Sequence, residues 1–388
     1  MKTKSILIVT NYFPPEKGAA ANRIYSLTKG LSDAGHKVTV VCPLPNYPEG
    51  EIFSNYKKKV FSKEVIEGIT IYRLWVWPSN SSNKFVRLAS MLSFSWSLSM
   101  FLLFKKTSKK IFVQYSPVFI GFTAIFWGIL LGKKCLLNVS DLWPLAGLEM
   151  GLLKKGFYYS LLTRMERFCY KKAHFIVGQS QEIIDYVKQL GVKTPTFLYR
   201  NFPSFELPEV SEKQNNTNIK IVYAGLLGVA QGLQEICTNV DFSEQVSLHI
   251  YGSGPQEKQI AALQKDHIYF YGSIDRTVLL KELQQYDIAF IPLTKRIYGS
   301  VPSKIFEYTR LGIPVLYNAG GEGEHIVNDI GLGWTLPEND LRQLQGFIKT
   351  ISVDDLIEFP KKEIQKKAVK EFDFLSQLKN FDKRISAI

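Results

Sequence analysis

The strongest constraint on the fold is a repeated alternation of short apolar runs with longer, helix-like stretches. The runs are mostly continuous, as expected of strands in a parallel sheet that helices cover on both faces. Twelve runs are predicted as strands: 5–10, 37–42, 68–76, 111–115, 135–139, 175–179, 195–200, 219–224, 247–251, 268–271, 288–293 and 314–318. This order predicts two doubly wound α/β domains of the Rossmann type, facing each other across a cleft.

A polar stretch over 202–218 separates the two sets of strands. It contains Pro203 and Pro208 together with acidic and asparagine residues, a composition typical of a linker. A chain of 388 residues is long enough for two or three domains. We therefore assign residues 1–203 to an N-terminal domain and 204–364 to a C-terminal domain.

Charge is distributed unevenly between the two halves. Residues 1–203 contain 28 Lys and Arg against 11 Asp and Glu, a balance of +17, whereas residues 204–388 contain 20 against 24, a balance of −4. A basic half indicates an anionic partner, either a nucleic acid or a lipid surface. The chain has no basic helix with interleaved stacking aromatics, so we favour an anionic membrane surface over nucleic acid.

One segment, 85–104, is almost entirely apolar and is followed by Lys105, Lys106, Lys109 and Lys110. As a helix it would be about 30 Å long, enough to cross a bilayer. A crossing would separate strands that must share one sheet, so a core helix or an interfacial helix with lysine anchors fits better. The sequence thus predicts peripheral attachment to a membrane.

The N-terminus and the cysteines indicate the compartment. A strand is predicted from residue 5, which leaves no room for a signal peptide before it. The four cysteines are widely separated and form no Cys-x-x-Cys pair, which favours packed thiols in a reducing cytosol. We expect a cytoplasmic protein on the inner face of the cell membrane.

The segment 301–316 carries the most specific chemical signal. Pro302 and Ser303 are predicted to start a helix, with Ser303 capping its free N–H groups and Lys304 adding a positive charge beside them. Glu307 lies one turn further along, and Gly312 is predicted to end the helix. This pattern suits a nucleotide sugar, with the diphosphate at the helix end and ribose hydroxyls on the acid; the alternative is an ordinary i,i+3 ion pair.

Further loops are predicted to reach the same edge of the second sheet. Each follows a predicted strand and is built from small residues, which let a backbone approach a ligand closely. Together with the 303 helix they form a predicted donor-binding site. The loop residues are Gly225, Gly228, Gly252, Gly254, Ser273 and Ile274.

Three residues of the first half are further candidates. Gly18 lies in a loop of small residues after the first strand, and Arg23 can reach a phosphate from there. Asp141 follows a strand and is expected either to act on an acceptor hydroxyl, as base or by orienting it, or to cap the next helix. No Asp-x-Asp pair or metal-spaced His/Cys cluster occurs in the sequence, so we expect no metal and no cofactor.

Taken together, the motifs resemble the GT-B-fold glycosyltransferases of family four, especially bacterial O-antigen and capsule transferases of the N-acetylfucosamine type. The resemblance implies a donor in the C-terminal domain, an acceptor in the N-terminal domain, retention of configuration, and a last helix within about 365–388 that packs back on the first domain. The motifs that carry it are Phe13-Pro14-Pro15-Glu16, Pro45-Asn46-Tyr47-Pro48, Ser140-Asp141-Leu142-Trp143-Pro144, Tyr223-Ala224-Gly225, Tyr251-Gly252-Ser253-Gly254 and Pro302 to Tyr308.

The resemblance also assigns roles and shows departures. Glu307 matches the second glutamate of the family's Glu-x7-Glu motif, which holds the donor ribose, but the first would fall at Gly299. The arginine and lysine of the family's glycine loop would fall at Leu226 and Gln231. Lys304 is then the main cation for the diphosphate. Possible helpers are Arg23, Arg200, Lys295 and Arg296.

The expected activity is that of a hexosyltransferase, with Asp141 and Lys304 as its catalytic residues. It would move a sugar from a nucleotide sugar, expected to be UDP-linked, to a polyprenyl-diphosphate-linked acceptor in surface polysaccharide biosynthesis. Two alternatives remain open at this point: a nucleotide-sugar epimerase of the same fold, and a non-catalytic basic protein that binds membranes or nucleic acid.

Overall fold

The computed structural model describes residues 4–16, 18–47, 49–81, 83–210 and 218–388. Lys17 of the loop after the first strand, Pro48 of the Pro-Asn-Tyr-Pro motif, and 211–217 of the predicted linker lie outside the described residues. The chain forms two compact units. Unit 1 comprises Met1–Asn201, Ile297–Ser300 and Leu375–Ile388, and unit 2 comprises Phe202–Arg296 and Val301–Phe374.

Unit 1 is built on an eight-stranded sheet with the order β3-β4-β2-β1-β5-β6-β7-β8. Every neighbouring pair is parallel except β3 with β4. Its strands are β1 Ser5–Val9, β2 Lys37–Pro43, β3 Phe61–Ile66, β4 Ile69–Leu74, β5 Lys110–Gln114, β6 Lys134–Val139, β7 Phe175–Gly178 and β8 Thr196–Leu198. Its helices are α1 Ala19–Asp33, α2 Lys84–Phe104, α3 Val118–Leu130, α4 Leu145–Glu149, α5 Phe157–Lys172, α6 Gln181–Gln189 and, at the end of the chain, α14 Phe374–Ala387.

Unit 2 has a six-stranded, wholly parallel sheet with the order β11-β10-β9-β12-β13-β14. The order reverses between β9 and β12, and ligands of such sheets bind outside the carboxyl ends of the strands at that point. The strands are β9 Ile219–Ala224, β10 Val246–Tyr251, β11 Ile268–Gly272, β12 Ile288–Pro292, β13 Val315–Asn318 and β14 Gly333–Leu336. The helices are α7 Leu233–Asn239, α8 Glu257–Ala262, α9 Arg276–Glu282, α10 Lys304–Arg310, α11 Glu322–Ile330, α12 Leu341–Thr350 and α13 Lys361–Glu371.

These elements confirm the predicted pair of parallel α/β domains. Each of the twelve predicted strands is present, because a continuous apolar run between turn residues has few alternatives in a covered sheet. The sequence pattern missed β3 and β14. Strand β3 is an antiparallel edge strand whose sequence Phe-Ser-Lys-Glu-Val-Ile mixes charge with apolar residues on exposed faces, so it carries no buried-strand signal.

Helix α2 lies on the surface of unit 1 with one side packed and one side exposed. Phe94, Leu98 and Leu102 are buried in the core cluster, whereas Trp96 and Phe104 are 64% and 84% exposed. The segment Phe85–Phe104 is long and apolar enough to cross a membrane, yet only 28% of its most apolar part is buried. The helix therefore combines features of a core helix with a large exposed apolar side.

The last two helices belong to different units. Helix α13 lies in unit 2, and nearly all of α14 is counted with unit 1. In unit 1, the Phe381 ring of α14 lies 5.8 Å from the ring of Phe112 in β5 and 5.3 Å from that of Tyr199. His36 Nε2 is 2.6 Å from the Asp382 carboxylate, which fixes α14 beside the loop before β2.

A buried carboxyl group lies in the core of unit 1. Glu166 of α5 is fully buried and accepts hydrogen bonds from the hydroxyls of Tyr170, at 3.1 Å, and Tyr186, at 3.4 Å. Burial raises the pKa of Glu166 to about 7, because the two hydroxyls and Arg167 only partly offset the cost of removing the carboxylate from water. The folded protein therefore keeps this proton well above the pH at which the unfolded chain releases it.

We expect Glu166→Gln to remove a pH-dependent loss of stability. Well below pH 4.5 the carboxyl is protonated in both states, and as the pH rises from about 4.5 to about 7 the wild type loses about 3 kcal/mol of unfolding free energy that the amide retains. The measurement is the free energy of unfolding of both proteins between pH 4.5 and 8. Glu244→Gln, at an exposed position, is the control and should follow the wild type. A constant difference between Glu166→Gln and the wild type across this range would contradict the assignment.

Candidate active site

The candidate donor site lies at the carboxyl end of β9, where the strand order of unit 2 reverses. Strand β12 pairs only with Ile221 and Val222, so the last residue of β9 needs other hydrogen-bond partners on that side. Tyr308 of α10 supplies both: its hydroxyl accepts from Ala224 N at 2.9 Å and donates to Ala224 O at 3.0 Å. Tyr308 is fully buried, so this pair of bonds fixes α10 against the end of β9.

The termini of α10 follow the sequence prediction in part. The helix ends as predicted at Gly312, whose φ is +80°, in a Schellman motif with Ile313 N donating to Tyr308 O at 3.0 Å and Gly312 N to Thr309 O at 3.0 Å. The predicted cap at the other end is wrong. Ser303 occupies the N-cap position with helical backbone angles, and its side chain makes no capping hydrogen bond. A cap side chain reaches the free N–H groups from extended backbone, which Ser303 does not adopt.

Lys304, Glu307 and Arg276 form a compact charged cluster, which we call the cation pair with its carboxylate. Glu307 Oε1 is 3.1 Å from Lys304 Nζ, and Glu307 Oε2 is 3.2 Å from Arg276 Nη2. The Glu307 side chain is only 9% exposed, whereas those of Lys304 and Arg276 are 29% and 51% exposed. Both cations are thus accessible to a ligand, while the carboxylate lies behind them.

Electrostatics keep Glu307 ionised despite its burial. Loss of water acts to raise the pKa of this carboxyl, but Lys304 and Arg276 outweigh it through charge and hydrogen bonds, so the net pKa lies below the ordinary value. Lys304 Nζ also lies 5.3 Å above the ring of Tyr308, which helps to orient it. The predicted i,i+3 pair is therefore present, and it is one half of a larger cluster.

Arg276 was missed by sequence reasoning. It is the first residue of α9, directly after Asp275, whose carboxylate caps the helix by accepting from Thr277 N at 2.8 Å. The predicted residues Ser273 and Ile274 lie in the preceding loop, and Ile274 packs against the core of unit 2. The sequence signal was the pair Asp275-Arg276, which directly follows the predicted residue Ile274 at a strand-to-helix turn.

The predicted glycines come together, and two of them have a clear structural requirement. A Cβ on Gly252 would lie 1.8 Å from Gly225 O, and one on Gly254 would lie 2.6 Å from Leu227 O. The two loops contact each other through their backbones, with Leu227 N donating to Ser253 O at 3.0 Å. Gly228 begins the short 3₁₀ turn that leads to α7. These glycines therefore shape the loops at the end of β9, and a role in donor binding stays a prediction.

The glycine in place of the family's first glutamate has a physical reason. Gly299 has a φ of +84°, and a Cβ there would lie 3.0 Å from Ile183 Cγ1 and 3.2 Å from Leu142 Cδ1. Its N–H donates to Glu182 Oε2 at 2.8 Å, and its carbonyl accepts from Ser180 Oγ at 2.7 Å. A glutamate could not take this position without displacing its neighbours.

In unit 1 the structure brings together Arg23 and Asp141 but leaves Gly18 apart. Arg23 Nη2 donates to Ser140 Oγ at 2.6 Å, and burial lowers the pKa of Arg23 to about 10, with Asp141 acting in the opposite direction. Gly18 is the N-cap of α1, and the Tyr47 ring lies 3.8 Å from its Cβ position. Arg23 and Asp141 thus lie together at the carboxyl ends of β1 and β6.

Asp141 does not cap the helix that follows it. Helix α4 begins at Leu145 with Pro144 at the N-cap position, and no side chain caps it. The Asp141 side chain is exposed and makes no hydrogen bond or ion pair with another described residue. The protein surrounding this exposed residue still partly desolvates its carboxyl group, which raises the pKa, and Arg23 opposes this shift. The position leaves the carboxylate available to a ligand.

A polar pocket opens nearby at the same edge of the unit 1 sheet. Asn11, Tyr12 and Tyr47 line it from the loops after β1 and β2, and Arg87 of α2 lines it from the other side. Arg87 is exposed and makes no ion pair within the described part of the chain. We call this the Arg87 pocket.

Glu16 holds together two loops whose residues line the Arg87 pocket. This buried carboxylate accepts hydrogen bonds from Asn46 N at 2.9 Å, Tyr47 N at 3.0 Å and Phe13 N at 3.2 Å, which fastens the Pro-Pro-Glu loop to the loop after β2. Arg73, also buried, donates to Pro14 O at 2.6 Å from the other side. The sequence motif is therefore a structural clamp for the pocket.

The remaining predicted cations have different surroundings. In unit 1 the backbone of Arg200 makes two hydrogen bonds with the side-chain amide of Gln377: Arg200 N donates to Gln377 Oε1, and Gln377 Nε2 donates to Arg200 O. Arg296 lies against Gly321 in unit 2, where a Cβ would come 2.2 Å from its Nε. Over the residues that the structure describes, no group of three His, Cys, Asp or Glu side chains is placed to hold a metal ion. Independence of metal stays a prediction.

Comparison with protein families gives two matches, one for each half of the chain. The model described as Glycosyl transferase 4-like domain matches residues 18–198, and the model described as Glycosyl transferases group 1 matches residues 218–352. A curated relative, the probable glycosyltransferase WbjE of Pseudomonas aeruginosa, is 25% identical over 251 residues. That match covers 58% of this chain and spans 62% of the relative's length.

Solved structures with the same fold include two that cover nearly the whole chain. Anabaena Alr3699/HepE in complex with UDP and glucose has a TM-score of 0.65 and 12% identity, and covers 99% of this chain and 100% of its own. The lipopolysaccharide outer core galactosyltransferase WaaB in its apo form has a TM-score of 0.67 and 15% identity, with 99% of both chains covered. At these identities the likeness establishes the fold.

We predict that Tyr308→Phe destabilises unit 2. The substitution removes both hydrogen bonds to Ala224 and leaves a buried N–H and a buried carbonyl without partners, which costs about 2 kcal/mol or more. The free energy of unfolding in urea measures the effect. Tyr269→Phe, which removes a half-exposed hydroxyl on β11, is the matched control and should cost little. Equal stability of Tyr308→Phe and the control would contradict the role of this contact.

Proposed function

Because the chain is a glycosyltransferase of family four with the GT-B fold, we propose that it moves a hexosyl group from a UDP-sugar to a polyprenyl-diphosphate-linked acceptor. The observation that carries this proposal is the cation pair with its carboxylate at the switch point of unit 2. Two accessible cations beside a buried acid suit a diphosphate and a ribose. The complex of Anabaena HepE with UDP and glucose, a protein of the same fold, supports a UDP donor.

In this proposal, Lys304 and Arg276 stabilise the negative charge that develops on the leaving diphosphate. Positioned charges of this kind are worth roughly 3–4 kcal/mol each in a site that excludes water. Glu307 keeps both cations in place and offers its oxygens to the ribose hydroxyls. Arg276 thereby takes over part of the role of the cations that Leu226 and Gln231 do not supply.

The acceptor is proposed to bind unit 1. The Arg87 pocket combines amide and phenol groups suited to sugar hydroxyls with the guanidinium of Arg87, which pairs with no acid among the described residues and is suited to a phosphate. Asp141, whose raised pKa makes it a stronger base than an ordinary aspartate, is proposed to orient or deprotonate the acceptor hydroxyl. The apo structure of WaaB, a lipopolysaccharide galactosyltransferase, supports an acceptor from surface polysaccharide assembly. Retention of configuration, metal independence and attachment to the inner face of the cell membrane complete the proposal.

The test is release of UDP from a panel of UDP-sugars with and without a polyprenyl-diphosphate-linked saccharide. We expect turnover only with the acceptor present. Conversion of the UDP-sugar alone into an isomer would identify an epimerase instead and would contradict the proposal. Absence of turnover with every UDP-sugar and acceptor would contradict it as well.

Variants of the same assay test the site. Lys304→Ala and Glu307→Ala should each lower kcat/KM at least about 100-fold, since each removes a charge from the diphosphate or ribose contact. Lys281→Ala is the matched control, because Lys281 is an exposed lysine of α9 with no ion pair among the described residues. Wild-type turnover by both site variants would refute the site assignment.

A further inference from the structure

A second basic pocket lies in unit 1, formed by residues that the proposed reaction does not use. Lys37, Lys63, Lys105 and Lys106 line it, together with Tyr72 and Thr107. We call it the lysine pocket. Within the described ranges none of these four lysines forms an ion pair. Four unneutralised ammonium groups around one recess create a strongly positive potential that attracts an anion.

Strand register explains why these side chains converge. Lys63 of β3 lies directly opposite Tyr72 of β4, and Lys37 begins β2 two residues before Thr39, which pairs with Thr70. Side chains two residues apart point to the same face of a sheet, so these residues share one face. Lys105 and Lys106 reach it from the end of α2. Thr107 adds a buried Oγ1 atom that has no hydrogen-bond partner among the residues that the structure describes.

An apolar groove adjoins the lysine pocket. Val60, Phe61, Trp75, Trp96 and Phe104 line it between the β3–β4 hairpin and the second half of α2. All five side chains are exposed, from 42% for Trp75 to 84% for Phe104. Lys105 lines both the groove and the pocket, and its Nζ lies 5.6 Å from the centre of the Tyr72 ring at the boundary. The lysine pocket is therefore an anion site, and it continues into an exposed groove lined by large apolar side chains.

From this juxtaposition we propose that the lysine pocket and the apolar groove together form a binding site for an anionic phospholipid of the membrane. The phosphate of the headgroup binds the four lysines, and the acyl chains contact the groove. Two exposed tryptophans at the rim are typical of side chains that lie at the headgroup level of a bilayer. Charge complementarity supports this occupant, because residues 1–203 carry a balance of +17 and cytoplasmic leaflets are negative.

The site rests on the membrane location in the proposed function, but it is separate from the reaction. Its residues come from the β3–β4 hairpin, the start of β2 and the end of α2. The Arg87 pocket, by contrast, lies at the carboxyl ends of β1 and β2 and along the first half of α2. The phospholipid would hold unit 1 on the bilayer without entering the acceptor pocket.

The experiment is sedimentation of the full-length protein with vesicles of phosphatidylcholine alone or with 30 mol% phosphatidylglycerol. We expect binding only to the anionic vesicles. The double substitution Lys63→Gln with Lys105→Gln should lower the partition coefficient about 25-fold, at about fivefold for each lysine near an anionic surface. Phe104→Ser should lower it several-fold through loss of apolar contact.

The control removes the same charge elsewhere on unit 1. Lys188→Gln with Lys193→Gln changes two exposed lysines at the end of α6 and just beyond it, and should leave vesicle binding close to that of the wild type. An equal loss in both double variants, or equal binding of the wild type to neutral and anionic vesicles, would overturn the site. Binding of inorganic phosphate is measured as well. If the Lys63→Gln, Lys105→Gln protein loses affinity for phosphate but keeps vesicle binding, the pocket binds a free anion and the proposal is refuted.

Failure of this site and failure of the proposed function have different signatures. Vesicle binding requires no nucleotide sugar, and the Lys63→Gln, Lys105→Gln protein should retain wild-type affinity for UDP by calorimetry. A wild type that binds anionic vesicles but not UDP would support the phospholipid site and contradict the transferase proposal. The reverse result would support the transferase and overturn the site.

Discussion

The contact between the Tyr308 hydroxyl and the backbone of Ala224 determines how the donor site is built. Strand β9 extends two residues beyond its pairing with β12, and the hydroxyl satisfies the backbone groups that this leaves open. Because one oxygen both accepts and donates, the position of α10 is fixed relative to the strand that carries the glycine loop. Lys304 and Glu307 lie four residues and one residue before Tyr308 on the same helix, so their positions follow from this contact.

Burial and charge compete at Glu307, and charge prevails. A carboxylate that is 9% exposed would be costly alone, and a buried acid without partners takes up a proton instead. Lys304 and Arg276 each lie within 3.2 Å of one of its oxygens and lower its pKa below the ordinary value. The result is an ionised acid with a small net positive charge in front of it. Such a site favours a dianionic ligand over a neutral one.

Much of the architecture could be predicted from the sequence, whereas several side-chain contacts could not. Apolar runs predict parallel strands because a buried strand tolerates few other residues, and the Gly312 stop was predictable because a left-handed C′ position favours glycine. Arg276 was not predictable, since its partner Glu307 is 31 residues away in the sequence and tertiary packing alone brings the two side chains together. The Ser303 cap failed because backbone angles at a helix start depend on tertiary packing. The edge strand β3 has no run of buried apolar residues, so it was not predicted as a strand. The position of Lys63 in the lysine pocket could therefore not be predicted either.

Calorimetric titration with UDP and with uridine tests the central claim most directly. The claim is that Lys304 and Arg276, held by Glu307, bind the diphosphate of a nucleotide donor. The double substitution Lys304→Met with Arg276→Met should weaken UDP binding at least about 100-fold, since each of the two charged hydrogen bonds is worth about 1.5–3 kcal/mol, and should leave uridine binding nearly unchanged. Wild-type affinity for UDP in the double variant would contradict the account.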